Sequence, residues 1–262
     1  MAFQPESRWT QPTSTGWGRT AVDQAALDEG LRSYMLRVYN WMASGLLLTG
    51  IVAYLIASNP AVAELFYTTV RTPRGLATAP TILGWVAMFA PLGFVLALSF
   101  GINRMSKSTA QALFWVFAAV MGASLSNIFI IYTKASVAST FFVCAAMFAS
   151  MSLIGYTTKR DLTKLGSFMM MGLIGIILAA LVNMFLQSPV MAFVISIIGV
   201  VVFLGLTAYD TQRIKTEYVE HAYAEGTELA GKRSVMDALG LYLNFINLFQ
   251  LLLSFMGQRN QD

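Results

Sequence analysis

The stretch Leu206-Thr-Ala-Tyr-Asp-Thr-Gln-Arg-Ile-Lys215 closes a long apolar run that begins near Val190 and ends at Asp210. At about 1.5 Å per residue, a run of this length crosses the hydrocarbon core of a bilayer, which is about 30 Å thick. A carboxylate at the end of such a run is costly unless it is paired, protonated or in contact with water. Asp210 is therefore the first candidate site residue, and the rest of the chain is read as the scaffold that holds it.

The composition of the chain is that of a membrane protein. Of its 262 residues, 56% are hydrophobic and 11% are charged, whereas soluble domains carry about 25% charged residues. The single cysteine, Cys144, lies in an apolar run and is interpreted as a small buried hydrophobe. The single histidine, His221, lies in a polar loop, so a histidine-based metal site is not expected. We expect no cofactor and no nucleic-acid partner, and the lipid bilayer is the predicted surrounding.

Six further apolar runs complete a predicted all-α, polytopic membrane domain with seven transmembrane helices over residues 31–257. A polar tail at residues 1–30, predicted to be flexible, precedes this domain, and residues 258–262 form a short C-terminal tail. Pro91 lies inside the second run, where membrane helices tolerate proline as a kink. The third run contains the small residues Gly122-Ala-Ser-Leu-Ser126, which permit close helix approach. The predicted spans are 34–57, 81–102, 110–132, 136–156, 168–186, 190–210 and 236–257.

Basic residues are concentrated on the side of the membrane that carries the N-terminal tail, so that side is predicted to be cytoplasmic. The last run is predicted to cross fully, which places the C-terminus outside; an entry and return on one side is the alternative. The basic residues between spans on the tail side are Arg104, Lys107, Lys159, Arg160, Lys164, Arg213, Lys215, Lys232 and Arg233. Those on the other side are Arg71, Arg74, Lys134 and Arg259.

Several functional classes do not fit these residues. A retinal protein needs a lysine within the bundle for its Schiff base, and every lysine here falls in or beside a loop. The chain has no nucleophile-elbow, zinc-protease, Walker or dinucleotide-binding motif, and no predicted span holds two carboxylates. An enzyme is therefore not expected.

The last apolar run carries a polar stripe. Asp237, Gly240, Asn244 and Asn247 are spaced by three and four residues, so they share one face of a helix. A polar stripe on a membrane helix should turn towards protein or water, and it is the natural surface to meet Asp210. The alternative is that the two asparagines only bind neighbouring helices by hydrogen bonds of about 0.6–2 kcal/mol each.

Two C-terminal segments resemble the signatures of the Bax inhibitor-1 (transmembrane Bax inhibitor motif) family. These are Tyr209-Asp-Thr-Gln-Arg-Ile-Lys215 and Leu241-Tyr-Leu-Asn-Phe-Ile-Asn-Leu-Phe249. The segments Gly155-Tyr-Thr-Thr-Lys-Arg-Asp161 and Tyr34-Met-Leu-Arg-Val-Tyr-Asn-Trp-Met42 resemble its bacterial inner-membrane branch. The resemblance runs from about Leu31 to Gly257 and implies a multi-pass protein of the cell inner (plasma) membrane.

The resemblance implies a fold in which six helices surround a central, C-terminal seventh helix. It also implies a pH-sensitive calcium leak closed by a pair of carboxylates, one from the sixth helix and one from the seventh. Asp210 matches the first carboxylate, and Asn244 stands where the family usually has the second aspartate. Arg104 matches an arginine that can latch onto the sixth-helix carboxylate, although the alignment there is loose by one residue.

The Asn244 departure has a physical consequence, because two close carboxylates share protons and titrate as a unit, whereas asparagine carries no titratable proton. Its amide can instead donate an N–H to ionised Asp210 or accept a bond from protonated Asp210. The loss of one negative charge should weaken attraction for a divalent ion. Asp237, Asn247 and Arg213 are secondary candidates; Asp237 could replace the missing acid, but a residue at the start of the helix, favoured by its dipole, is the simpler interpretation.

The sequence therefore favours a cation leak pathway, with calcium as the possible transported ion, whose closed state is held by Asp210, Asn244 and Arg104. The alternative is a non-conducting regulator that binds an integral-membrane protease or another membrane protein. A small-molecule or proton-coupled transporter is a third possibility, although no internal repeat of the kind many transporters show is present.

Overall fold

The computed structural model of the protein describes residues 16–72, 75–101, 104–221 and 227–260. Seven of the helices within these ranges are long and apolar enough to cross a membrane, which confirms the predicted all-α polytopic architecture. The elements are α1 (Gly16–Ser58), α2 (Pro60–Phe66), β1 (Tyr67–Thr72), β2 (Gly75–Pro80), α3 (Ile82–Gly101), α4 (Lys107–Leu125), α5 (Asn127–Ile131), α6 (Lys134–Thr157), α7 (Thr163–Leu186), α8 (Pro189–His221) and α9 (Thr227–Met256).

Part of the N-terminal tail is helical. Helix α1 begins at Gly16, so residues 16–30 are helical, while residues 1–15 lie outside the described part of the chain. The stretch from Ala21 to Leu31 contains no proline and is rich in Ala, Leu, Glu and Gln, which have high helix propensity. Once the first span forms a helix, this stretch can extend it without a new nucleation step. The predicted flexibility of the tail stays a prediction.

The connection between the first two spans contains a β-hairpin, in a region that the predicted spans left unassigned. Strands β1 and β2 pair antiparallel, with Tyr67 opposite Pro80 and Thr72 opposite Gly75. The Tyr67 hydroxyl lies 3.0 Å from Ser126 Oγ, which ties the base of the hairpin to the third span.

The third span is interrupted at Ser126, between α4 and α5. The Ser126 hydroxyl donates to the carbonyl of Ala123 at 2.7 Å. One turn earlier, a Cβ placed on Gly122 would lie 2.7 Å from the carbonyl oxygen of Thr49 in α1. The small residues predicted to allow close helix approach do so here, because only glycine fits at that distance.

Two predictions about single residues are confirmed. Cys144 is fully buried, and its sulfur lies 3.7 Å from the carbonyl of Phe245, as expected for a small packed side chain. Pro91 lies inside α3 without ending the helix.

Helix α9 is the most enclosed of the spans. It packs against α1, α4, α6 and α8, whereas α3 packs on α4, and α7 packs on α8. Leu241, Tyr242 and Leu248 of α9 are fully buried and belong to the main core. The four neighbours give α9 an interior position, and enclosure by all six other helices stays a prediction.

Helix α9 runs the full length of the bundle. Near its start, Gly231 lies against the side chain of Lys107, at the beginning of α4. Beyond its end, the backbone N–H of Asn260 donates to the carbonyl of Ile131, at the end of α5. The helix therefore follows α4 and α5 from one end of the bundle to the other, which favours the full crossing over an entry and return.

Candidate functional site

Asp210 and Asn244 are in direct contact. The Asn244 side-chain Nδ2 donates to Asp210 Oδ2 at 2.7 Å and joins α8 to α9. Asn244 is buried, and the Asp210 side chain is 17% exposed. The predicted polar stripe therefore includes the residue that contacts α8. The Asp210 carboxylate is partly buried and keeps some contact with its surroundings.

Two glycines position α8 around Asp210. A Cβ on Gly155 of α6 would lie 2.2 Å from the carbonyl oxygen of Ala208, and a Cβ on Gly166 of α7 would lie 2.4 Å from the ring of Tyr209. Both positions require the absence of a side chain, because backbone or a packed ring occupies the space. Helices α6 and α7 consequently approach α8 directly beside Asp210.

The cation paired with Asp210 is Arg213. Its Nη2 lies 3.3 Å from Asp210 Oδ1, one turn along the same helix, and its Nε lies 3.9 Å from Glu217 Oε1. The Arg213 side chain is 40% exposed, so solvent screens the pair. Arg104, the arginine expected from the family resemblance, is exposed and is not among the described contacts of Asp210, so its role as a latch stays a prediction.

The polar stripe of α9 divides between two partners. Asp237 is buried and accepts a hydrogen bond from the Tyr34 hydroxyl of α1 at 2.6 Å, and the Tyr34 ring lies 4.9 Å from that of Tyr218. Asn247 donates to the carbonyl of Leu243 in its own helix at 2.9 Å. Asp237 thus joins α9 to α1 and does not contact Asp210. The Asn247 amide is bonded within α9 itself.

Sequence reasoning missed a chain of hydroxyl groups that reaches the residue beside Asp210. Tyr39 of α1 is hydrogen-bonded to Ser152 of α6, whose Oγ lies 3.0 Å from Thr211 Oγ1 in α8. The motif Tyr34-Met-Leu-Arg-Val-Tyr39 contains both tyrosine hydroxyls. Their partners could not be predicted, because they depend on how α1, α6, α8 and α9 pack together.

The loop between α6 and α7 is fastened to α8 just beyond Asp210. Gln212 Oε1 accepts from the backbone N–H of Leu162, and its Nε2 donates to the carbonyl of Arg160, both at 2.8 Å. Within the loop, Asp161 accepts bonds from the Thr163 side chain and backbone N–H. These two bonds lower the pKa of the exposed Asp161 carboxyl.

Within the described ranges, no group of three or more His, Cys, Asp or Glu side chains could hold a metal ion. Asp210 places a titratable carboxyl at a contact between two helices, α8 and α9. An ionised carboxylate accepts the Asn244 N–H as a charge-assisted bond, which is stronger than its neutral counterpart.

The comparisons with known proteins agree over nearly the whole chain. The family model described as "Inhibitor of apoptosis-promoting Bax1" matches residues 31–261. An uncharacterized protein of Rickettsia prowazekii is 48% identical over 241 residues, covering 92% of this chain and 95% of that protein. The inner membrane protein YbhL of Escherichia coli is 46% identical over 230 residues, covering 88% and 93%. An uncharacterized protein of Caulobacter vibrioides is 46% identical over 238 residues, covering 88% and 91%.

Proposed function

The chain belongs to the Bax inhibitor-1 family of membrane proteins, and from that premise we propose that it forms a pH-sensitive cation leak pathway, with calcium as the candidate ion. Seven apolar helices and the similarity to an inner membrane protein support a multi-pass protein of the inner membrane. The observation that carries the proposal is the Asn244–Asp210 hydrogen bond, which links the most enclosed helix to its neighbour through a titratable group.

The closed state depends on the ionised form of Asp210. In that form one carboxylate oxygen accepts the Asn244 N–H and the other pairs with Arg213. Only the bond to Asn244 joins two helices, because Arg213 lies on the same helix as Asp210. Of the two interactions of the Asp210 carboxylate, the bond from Asn244 is therefore the one that acts between α8 and α9.

Protonation of Asp210 weakens this contact. The charge-assisted bond from Asn244 becomes a neutral bond, and the attraction to Arg213 is lost. The Asn244 N–H can still donate to the carbonyl oxygen of the protonated carboxyl, but that bond has no charge assistance. We therefore expect cation flux to rise as pH falls, with α8 and α9 separating around Asp210.

The asparagine makes this gate simpler than a pair of acids. A second carboxylate at position 244 would repel ionised Asp210, and the two would titrate together over a broad range. With Asn244 in place, Asp210 is the one titrating member of the contact, so flux should follow a single protonation step.

The test measures calcium entry into liposomes that contain the purified protein and a trapped calcium dye, over a range of pH. Asp210→Asn should remove the pH dependence, and Asn244→Asp should broaden it into two steps. The matched control is Asn247→Asp, which adds the same charge to the same helix at an amide bonded to its own backbone. That control should keep the single step of the parent.

Two results would contradict the proposal. If Asp210→Asn and Asn244→Asp both leave the flux and its pH profile unchanged, Asp210 is not the gate. If the parent protein gives no flux above that of empty liposomes, the alternative of a non-conducting regulator is favoured, and co-purification with a membrane protease would support it.

A further inference from the structure

A long apolar groove lies between α1 and α6 on the outer surface of the bundle. Its volume is ≈ 1130 Å³, and Phe245 of α9 forms part of its floor. Helix α1 contributes both buried and exposed apolar side chains, and four aliphatic ones are exposed: Leu36, Leu47, Ile51 and Leu55. The two walls are joined across the groove by the hydrogen bond between Tyr39 and Ser152.

The groove spans the depth of a membrane. Along α1 its lining extends from Arg32 to Leu55, and a helical segment of that length covers about 35 Å. This matches the hydrocarbon thickness of about 30 Å. In a bilayer the groove is therefore open to lipid along its whole length.

One end of the groove is basic. Arg32 and Tyr156 line it there, and Lys215 donates to the Tyr156 carbonyl at 2.9 Å with its ammonium group 5.2 Å from the centre of the Tyr156 ring. Lys159 and Arg160 follow Tyr156 by three and four residues and are exposed. At the opposite end, Lys134 lies 5.2 Å from the centre of the Tyr54 ring.

No carboxylate lines the groove in the described part of the chain, and Arg32 is its one charged lining residue. Glu29 lies in a neighbouring cleft that shares Arg32 and Leu36 but is separate from the groove. Asp161 is directed onto Thr163, whose N–H and hydroxyl it accepts. Glu217, two residues after Lys215, lies 3.9 Å from Arg213 Nε. The charge on the groove lining itself is therefore positive and lies at the end predicted to be cytoplasmic.

We propose that this groove binds one anionic phospholipid. The phosphate group lies between Arg32 and Lys215, and an acyl chain fills the apolar walls between α1 and α6. Charge complementarity selects the headgroup, because basic side chains near a membrane surface attract anionic lipid. The proposal does not depend on ion flux, since it concerns binding alone.

The test is native mass spectrometry of the full-length protein, purified in detergent and titrated with dioleoyl phosphatidylglycerol or dioleoyl phosphatidylcholine. The expected result is one retained phosphatidylglycerol, preferred over phosphatidylcholine. Arg32→Gln should lower this preference about fivefold, the value of roughly one basic side chain near a membrane surface. Arg37→Gln, on the same helix but lining the neighbouring cleft, should leave it unchanged.

A second pair of variants separates loss of binding from loss of folding. Gly50 lines the groove, and Gly175 of α7 is exposed on another face; a Cβ on either would meet nothing within 4 Å. Gly50→Leu should fill the groove and abolish lipid retention, while Gly175→Leu should retain the lipid. Thermal unfolding followed by circular dichroism checks that both variants are folded.

Three outcomes would overturn the proposal. The first is equal retention of the two lipids, which indicates ordinary surrounding lipid only. The second is a Gly50→Leu variant that retains phosphatidylglycerol as the parent does. The third is a protein dimer that Gly50→Leu dissociates, which would make the groove an interface between two copies of the chain.

Discussion

Helices α9 and α7 are both long and apolar enough to cross a membrane, yet they occupy opposite environments. The apolar window of α7 has a mean hydropathy of 2.4 and is 11% buried, whereas that of α9 has a mean hydropathy of 1.6 and is 56% buried. In a soluble protein the more hydrophobic helix would be the interior one. In lipid the order is reversed, because apolar side chains are as well accommodated outside as inside, and polar groups must find partners within the protein.

The side-chain contacts of α9 and α7 differ in the same way as their burial. Helix α9 directs Asp237, Tyr242 and Asn244 to partners on α1 and α8. Helix α7 buries only Gly166 and Met169. The following predictions test whether the polar, enclosed helix holds the bundle together, and they are ordered from the largest expected effect to the smallest.

Tyr242→Ala should give the largest loss of stability. The ring is fully buried against Phe114 and Phe117, and its hydroxyl lies 2.7 Å from Thr49 Oγ1. Removal of a buried aromatic ring costs about 3–5 kcal/mol. The measurement is unfolding of the detergent-solubilised protein in increasing denaturing detergent.

The control for this change is Phe185→Ala on α7, whose side chain is 82% exposed. A surface substitution of this kind is expected to change stability by no more than about 0.5 kcal/mol. If the two variants lose similar stability, the contrast between the helices is not energetic.

Asp237→Leu should destabilise the protein by about 1–3 kcal/mol, because the buried Tyr34 hydroxyl loses its acceptor. Asp237→Asn is the matched control, because its side-chain oxygen can still accept the hydrogen bond from Tyr34. The same denaturation assay should rank Leu well below Asn. Equal losses would show that the Tyr34 bond contributes little and that only the size of the side chain matters.

Gly155→Ala should cost about 1–3 kcal/mol, because the added methyl group meets the backbone carbonyl of Ala208 and must move α6 away from α8. Gly175→Ala on α7 meets open space and should leave stability unchanged or slightly raised. Thermal unfolding of the two variants checks the prediction. If Gly155→Ala leaves stability unchanged, the close approach of α6 does not fix the position of α8.

The smallest effect concerns the start of α7. The pKa of the Asp161 carboxyl is lowered by its hydrogen bonds from Thr163, so this local stabilisation is present above the ordinary carboxyl pKa and is lost as pH falls below it. Hydrogen exchange at the first turn of α7 should therefore be faster at pH 3 than at pH 7 after correction for intrinsic rates. Asp161→Asn should show a smaller difference, and an unchanged difference would mean that another group is responsible.

Much of the fold could be predicted because membrane spans are set by length and apolarity. The seven spans, the tolerated Pro91 and the close approach at Gly122 followed from local sequence. The hairpin of β1 and β2 and the extension of α1 to Gly16 did not, since polar composition distinguishes poorly between a loop, a strand and a helix outside the membrane.

The candidate site could also be predicted in part from local sequence. Helical spacing put Asp237 and Asn244 on one face and indicated that this face meets Asp210, but it gave no partner for Asp237. The structure pairs Asn244 with Asp210 and Asp237 with Tyr34. It also pairs Arg213 with Asp210, while the latch role of Arg104 stays a prediction. Spacing along one helix determines which face a side chain occupies. Which residue it contacts depends on the rotation and axial position of the neighbouring helix.

The sequence by itself determined that this chain is a seven-span protein of the Bax inhibitor-1 family with a costly carboxylate at Asp210, since bilayer thickness and the cost of buried charge act on local composition. Only the tertiary structure decided that Asp237 binds Tyr34 of α1, that Arg213 pairs with Asp210, and that a groove remains between α1 and α6. The physical reason is that lipid exerts little hydrophobic force between helices, so close backbone approach and polar contacts choose the neighbours.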